Sequence, residues 1–332
     1  MDKRVTPAAA ARLAGNYVWV MGMVFLGQVL GGLISSVVTV ASYGVLAGGE
    51  TDAMILALKT DSAAPLGITG QSASAASALY SACPYLMFVG IWIVALVYLR
   101  FSRRSRPVLR AVGTFTRGNT AGNLALGLLV GLVLNGVCAL IAVATGSVSL
   151  SLVGVNVGGL VLLAVTVFVQ SSAEELLCRC YLYQKTLRTS GSPVVAVVAS
   201  SLLFGVLHLL NTGVTALSIV NIVLVGVLFG LMVWRLDSPW MAFAAHASWN
   251  FMQNVLLGLP NSGHVIPFAL FGIAPGTTPA AGVAYDPVFG IEGSVAAALA
   301  LLAGCAFVWW LGERRNVAAT DVWGEAADPD AS

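Results

Sequence analysis

Residues 157–184 read VGGLVLLAVTVFVQSSAEELLCRCYLYQ. An apolar run as far as Val169 leads into two adjacent carboxylates, Glu174 and Glu175, and Arg179 follows four residues after the second. A run of about 20 apolar residues is long enough to cross about 30 Å of hydrocarbon as a helix. Only 9% of the chain is charged, so three charges within one such stretch need a reason.

The rest of the 332 residues agrees with that first reading: 58% are apolar and mean hydropathy is +0.90. A soluble domain carries about 25% charged residues. Long continuous apolar runs, not short alternating segments, exclude a membrane β-barrel. The expected fold is therefore all-α and polytopic. We read about eight spans, at roughly 17–45, 79–100, 122–145, 157–184, 193–211, 215–235, 239–258 and 288–311. Residues 48–78 and 259–287 read as loops, rich in small residues or cut by Pro and Gly. Residues 1–16 read as a short N-terminal segment, 17–315 as the bundle, and 316–332 as a disordered acidic tail. The apolar run after the basic N-terminus is too long for a signal peptide, so it reads as a retained first span. No internal repeat stands out.

Lys and Arg give an independent check on this map. Those before span 1, between spans 2 and 3, and after spans 4, 6 and 8 all fall on one side; only Lys59 falls on the other. By the positive-inside bias that side is cytoplasmic, with both termini. The expected location is a bacterial-type plasma membrane. Nothing in the sequence suggests nucleic-acid binding, and the basic loop 100–117 serves orientation and contact with anionic lipid. The cysteines, Cys83, Cys138, Cys178, Cys180 and Cys305, form no disulfide or metal pattern and read as packing.

Few polar groups remain inside the spans. Besides the acids and Arg179 there are His208 in FGVLH, and His246 and Asn250 in HASWN. Charge at mid-bilayer costs at least about 2.5–3.5 kcal/mol, so such residues face a bundle interior or water. Residues four apart share a helix face. Glu175 and Arg179 can therefore neutralise each other. Glu174 points about 100° away and has no charged partner in its own span. A lone carboxylate in a dry place can take up and release a proton. His246 with Asn250, and Phe204 with His208, repeat the spacing of four. Taken singly, each has a plain alternative. The Glu–Arg pair could be purely structural, the imidazoles and carboxamide could be interhelical hydrogen-bonding groups, and Phe204 could be packing. His264 lies in the Pro/Gly loop with no expected catalytic role, and Glu292 is expected near an interface and solvated. Together, one carboxylate, two imidazoles and a carboxamide suit hydrolysis. The carboxylate takes a proton from water and the others donate to an oxyanion or hold a metal. A proton-coupled transporter is a rival reading of the same groups, as is a non-catalytic scaffold; the missing inverted repeats weigh against transport.

EELLCR fits an EExxxR pattern, FGVLH fits FxxxH and HASWN fits HxxxN. In this order, over roughly residues 157–257, they resemble the CPBP intramembrane protease family, which includes type II CAAX prenyl endopeptidases and abortive-infection proteins. The connecting stretch GVLFGLMVWRLDSPWMAFAAHASWN is also similar to that family's pattern. The resemblance implies an eight-helix core with a cavity open to the membrane and the cytosolic side. It implies Glu174 as the base activating water, Glu175 paired with Arg179, and His208 assisting Glu174 or binding the water. His246 with Asn250 would form the oxyanion hole. The substrate would be a peptide or membrane-protein segment, prenylated or not; the oligomeric state stays open. Metal dependence is also left open: zinc fits the histidines, but catalytic zinc usually has three protein ligands and the chain has no HExxH helix, which favours metal-free activation.

Depth poses a difficulty. Glu174 and His208 lie about 14 and 15 residues from the basic ends of their spans, or about 21 Å at about 1.5 Å per residue; His246 lies only about 10 Å in. They meet only if spans 4 and 5 project beyond the bilayer or tilt, or if span 7 begins deeper. The expected site lies in the cytoplasmic half.

Overall fold

The computed structural model describes residues 7–46, 52 and 70–324. Lys3, Arg4 and Lys59, most of the 48–78 loop and the tail beyond Gly324 lie outside the described residues. The helices are α1 (Pro7–Leu46), α2 (Gly70–Ala82), α3 (Met87–Phe101), α4 (Ala121–Ala144), α5 (Val157–Glu175) and α6 (Tyr183–Ser190). They continue with α7 (Pro193–Leu207), α8 (Ala216–Leu236), α9 (Pro239–Asn250) and α10 (Val295–Arg315). The fold is nearly all-α. One small ribbon departs from that: β1 (Leu150–Leu152) pairs antiparallel with β2 (Phe271–Ile273), Ser151 opposite Gly272.

Local chemistry sets the helix starts. Thr120, Ser192, Ser238 and Ser294 each accept a hydrogen bond from the backbone N–H three residues on, which satisfies an orphan donor of the first turn. Pro193 and Pro239 follow two of these caps at the first helical position, where a missing N–H costs nothing. Thr215 and Ser218 form a reciprocal capping box. Between α6 and α7 the turn is only Gly191–Ser192, and Gly191 takes the left-handed conformation at φ 65°.

Among the described residues, six helical segments are long and apolar enough to cross a membrane. They include α1, the α2–α3 rod, α4, the α5–α6 rod, α8 and α10. Their outward faces carry exposed Phe25, Leu33, Leu129, Leu140, Val161 and Leu299, the pattern of a lipid-facing surface. The chain is an integral membrane protein by these features. Two of the expected spans are shorter: α7 has 15 residues and α9 has 12 followed by a π-helical segment, Phe251–Leu256. The expected loop 48–78 ends early, because Gly70–Ala82 is helical. Ala dominates that stretch, and Ala is the best helix former.

Small residues bring the helices close. A Cβ on Gly31 would sit 1.8 Å from the Met87 carbonyl oxygen, and one on Gly90 would sit 2.1 Å from that of Gly27. The α1–α3 crossing therefore needs glycine, as membrane helix pairs often do. The tail also departs from expectation. Val322 is buried, Trp323 lies over Arg188, and the Arg110 guanidinium donates to the carbonyls of Val322 and Gly324.

Candidate active site

The α5–α6 rod changes pitch where the acids end. Leu176–Leu182 is a π-helical segment that contains Arg179; such insertions concentrate at functional sites. Glu175 and Arg179 still meet. Arg179 Nη1 donates to Glu175 Oε1 at 3.1 Å, and Nε lies 3.1 Å from Oε2. Both side chains are fully buried. Arg179 Nη2 donates to the Gly226 carbonyl at 3.0 Å, and the guanidinium lies over the rings of Phe204 and Phe229 at 4.7 and 5.4 Å. Phe204, expected as packing, thus also faces a cation.

Glu175 has a second partner that spacing within one helix could not reveal. Its Oε1 is 3.0 Å from His246 Nδ1 on α9. A carboxylate paired with arginine only accepts, so Nδ1 donates. That fixes the tautomer: a neutral His246 ring presents a bare Nε2, and a protonated ring presents an Nε2–H. Nε2 lies 3.8 Å from Glu174 Oε2. The ring is stacked on Phe229 and edge-on to Phe204. His208 caps the end of α7; its Nδ1 donates to the Phe204 carbonyl at 2.8 Å, which leaves Nε2 as an acceptor.

Glu174 is the terminus of an amide relay. Asn261 Nδ2 donates to Asn250 Oδ1 at 3.1 Å, Asn250 Nδ2 to Gln170 Oε1 at 3.0 Å, and Gln170 Nε2 to Glu174 Oε1 at 2.7 Å. Asn250 Nδ2 also reaches Ser171 Oγ at 3.3 Å. Glu174 Oε1 is thereby occupied, while Oε2 has no hydrogen-bond partner among the described residues. Gln170 and Asn261 were not singled out in the sequence. Gln170 was findable, since it precedes Glu174 by four residues on the same face.

Glu292 requires a correction. It is not solvated: it is 7% exposed and precedes α10 in a turn of 3-10 helix. Trp249 Nε1 donates to its Oε1 at 3.1 Å, and Ser262 N and Oγ donate to its Oε2 at 2.6 and 2.8 Å. Three donors stabilise the buried carboxylate. They also pin the backbone beside Asn261, because Ser262 holds a left-handed φ of 46°. We expect Glu292→Gln to cost about 1.5–3 kcal/mol, the range for hydrogen bonds to a charged group. Thermal unfolding of the purified variant in detergent would measure it.

These groups surround one cavity of about 570 Å³. Glu174, His208, His246 and Asn250 line it together, as do Asn261 and His264. Glu175 and Arg179 do not line it; they lie behind it. The apolar wall comes from Val24, Phe88 and Ile91 of α1 and α3. Whatever the depth of each span, Glu174, His208 and His246 do meet, since all three line the same cavity. Tyr183, Ala196, Val197 and Val233 pack together where α6, α7 and α8 adjoin.

The donor set does not fit a metal. Among the described residues no group of three His, Cys, Asp or Glu side chains is placed to hold one. Glu175 is committed to Arg179 and His246 and is not available as a ligand. Catalytic zinc needs about three protein ligands.

Residues 156–252 match the family model for type II CAAX prenyl endopeptidase, Rce1-like. The matched stretch covers α5 through α9 and contains all of Glu174, Glu175, Arg179, His208, His246 and Asn250. It excludes Asn261 and Glu292. The match supports the resemblance to the CPBP family and, at family level, a CAAX-protease-like endopeptidase acting in a membrane. No curated protein and no solved structure matches the chain.

Proposed function

We propose that this chain is an intramembrane endopeptidase in which Glu174 activates water. The observation that carries the reading is Glu174 itself: one oxygen held by Gln170, the other unpartnered and 3.8 Å from an imidazole nitrogen, in a cavity large enough for a peptide segment. Water bound at Oε2 gives its proton to that oxygen as its oxygen adds to the peptide carbonyl carbon. The carbonyl π electrons move onto oxygen. Glu174 then passes the proton to the departing amine nitrogen as the C–N bond breaks, leaving a carboxylic acid and an amine. His208 Nε2 suits the second hydrogen of the water. A protonated His246 offers Nε2–H to the oxyanion, with its Nδ1 held by the carboxylate of Glu175 behind it. Arg179 balances Glu175 and fixes its orientation. Asn250 has its amide hydrogens committed to Gln170 and Ser171, so we assign it to positioning; donation to an oxyanion would require it to release one of them.

Purified chain and an internally quenched peptide library test this reading. Cleavage by the wild type that is lost in Glu174→Gln supports it. Equal cleavage by both, or none by either, favours the scaffold. A transporter would instead show solute flux in liposomes that depends on Glu174.

Two further outcomes are expected. Gln170→Leu breaks the relay at one charge-assisted hydrogen bond, worth about 1.5 kcal/mol, so kcat should fall about tenfold. KM should change little, because the lost contact is not with substrate. Chelation should leave activity in place; activity that disappears and returns only with zinc would overturn metal-free activation.

A further inference from the structure

The two ends of the bundle differ in charge. One end gathers segments 102–120, 184–192, 235–238 and 312–324, and they are tied together. Lys185 Nζ donates to the Arg104 carbonyl, the Arg117 N–H to Asp237, and Arg315 to Asn123. Trp19 stacks on Tyr98, which places Arg12, two turns earlier in α1, at this same end. Among the described residues, every Lys and Arg except the buried Arg179 lies here. The other end gathers segments 78–86, 145–156, 208–215 and 257–294. Asn211 binds the Ser262 carbonyl, the Phe268 N–H binds Ser81, and the Ala274 N–H binds the Ser149 carbonyl. Those four segments contain no Lys or Arg.

The cavity belongs to the end that lacks Lys and Arg. Of its exposed lining residues, Pro84, His264, Val265 and Pro267 are at that end, and Gln28 lies partway along α1. None of its lining residues comes from the basic segments. Towards the basic end it is sealed by Leu177, Phe204 and, behind them, Arg179, Tyr181 and Leu182, all at most 2% exposed. The exposed lining thus opens towards the end without Lys or Arg and the adjoining part of α1, and a substrate reaches Glu174 from there, not from the basic end. The positive-inside bias puts the basic end in the cytoplasm.

We infer that the site draws its substrate from the extracytoplasmic half of the membrane. The substrate class is a peptide bond on the outer side of a membrane-anchored or exported polypeptide. This inference rests on the endopeptidase reading for the chemistry, but its geometry stands on charge and cavity alone. It reverses the access route expected from the sequence, which was the cytosolic side. Among the described residues the clustering of Lys and Arg at one end matches the expectation; what changes is which end of the helices the reacting groups open to.

The test uses the full chain in cells, with Val265→Cys at the mouth and Arg103→Cys at the basic end. The native cysteines are buried or partly buried, and the parent chain gives the background. A membrane-impermeant maleimide should label Val265→Cys in intact cells at least tenfold more than Arg103→Cys, and both alike after permeabilisation. Labelling of Arg103→Cys alone in intact cells would overturn the inference. In detergent, a bulky maleimide on Val265→Cys should cut cleavage of the quenched peptide library at least tenfold, while the same label on Arg103→Cys should change it less than twofold. Pro84→Cys serves as a second mouth variant if Val265→Cys folds poorly. Blockage from Arg103→Cys instead would place the access route at the basic end and overturn the inference. A library left uncut by the wild type would count against the endopeptidase reading, and the labelling in cells would still decide which side the mouth faces.

Discussion

Glu174→Gln is expected to lower kcat by about 10²–10⁴-fold, the usual contribution of a positioned general base. The substitution is nearly isosteric. Its side-chain carbonyl can still accept from Gln170 Nε2, so the relay through Asn250 and Asn261 can persist. What is lost is the basic oxygen at Oε2. The melting temperature should therefore stay close to that of the wild type while turnover collapses. A parallel loss of both would mean that Glu174 holds the helices together, and the chemical role assigned to it would fail. Quenched-peptide turnover and thermal unfolding on the same preparation distinguish the two.

Arg179→Ala should act the other way, on the fold first. Removing one partner of a buried ion pair costs about 3–5 kcal/mol, because the remaining charge is left uncompensated. Here Glu175 would keep only His246 Nδ1. The Gly226 carbonyl would lose its side-chain donor, and Phe204 and Phe229 would lose the cation over their faces. Expression in membranes should drop and unfolding should come earlier. The double variant Glu175→Gln with Arg179→Met removes both charges while filling the space. It should recover much of the stability, since an apolar replacement of a whole buried pair is often neutral. It should not recover turnover, because His246 would then have no carboxylate behind it. Normal stability of Arg179→Ala with lost activity would instead make the guanidinium a direct participant.

The part of this site that was legible in the sequence is the part written in short spacing. Glu175 with Arg179, Phe204 with His208 and His246 with Asn250 are each one helical turn apart, so periodicity alone pairs them. The all-helical, membrane-spanning class was legible because hydropathy is a local property, but the number was not: eight spans were expected, and among the described residues six helical segments are long and apolar enough to cross a membrane. The contacts that join helices were not legible either. Glu175 to His246 and Asn250 to Gln170 close across many residues of chain, and helical spacing gives no information on which faces meet. Glu292 was misjudged because its position near the start of a span suggested an interface and water, whereas Trp249 and Ser262 enclose it. The ribbon of Leu150–Leu152 with Phe271–Ile273 was invisible: three residues are too few to establish an alternating pattern, and the partners lie far apart in the chain. The docked tail was misread from its composition. Among the described residues of the tail, Val322 and Trp323 supply apolar surface that packs against the bundle and anchors the segment.

The relay of Asn261, Asn250 and Gln170 has a direction. Every link presents nitrogen towards Glu174 and oxygen away from it. An amide can only be turned over whole, so the links cannot be partly reversed. Asn250→Asp would leave Gln170 facing an acceptor; Gln170 would rotate to offer its NH₂ there and turn its own carbonyl on Glu174, lone pair against lone pair. An acceptor put in place of the Asn250 amide nitrogen thus arrives at Glu174 as a change of sign, not as a fading of strength.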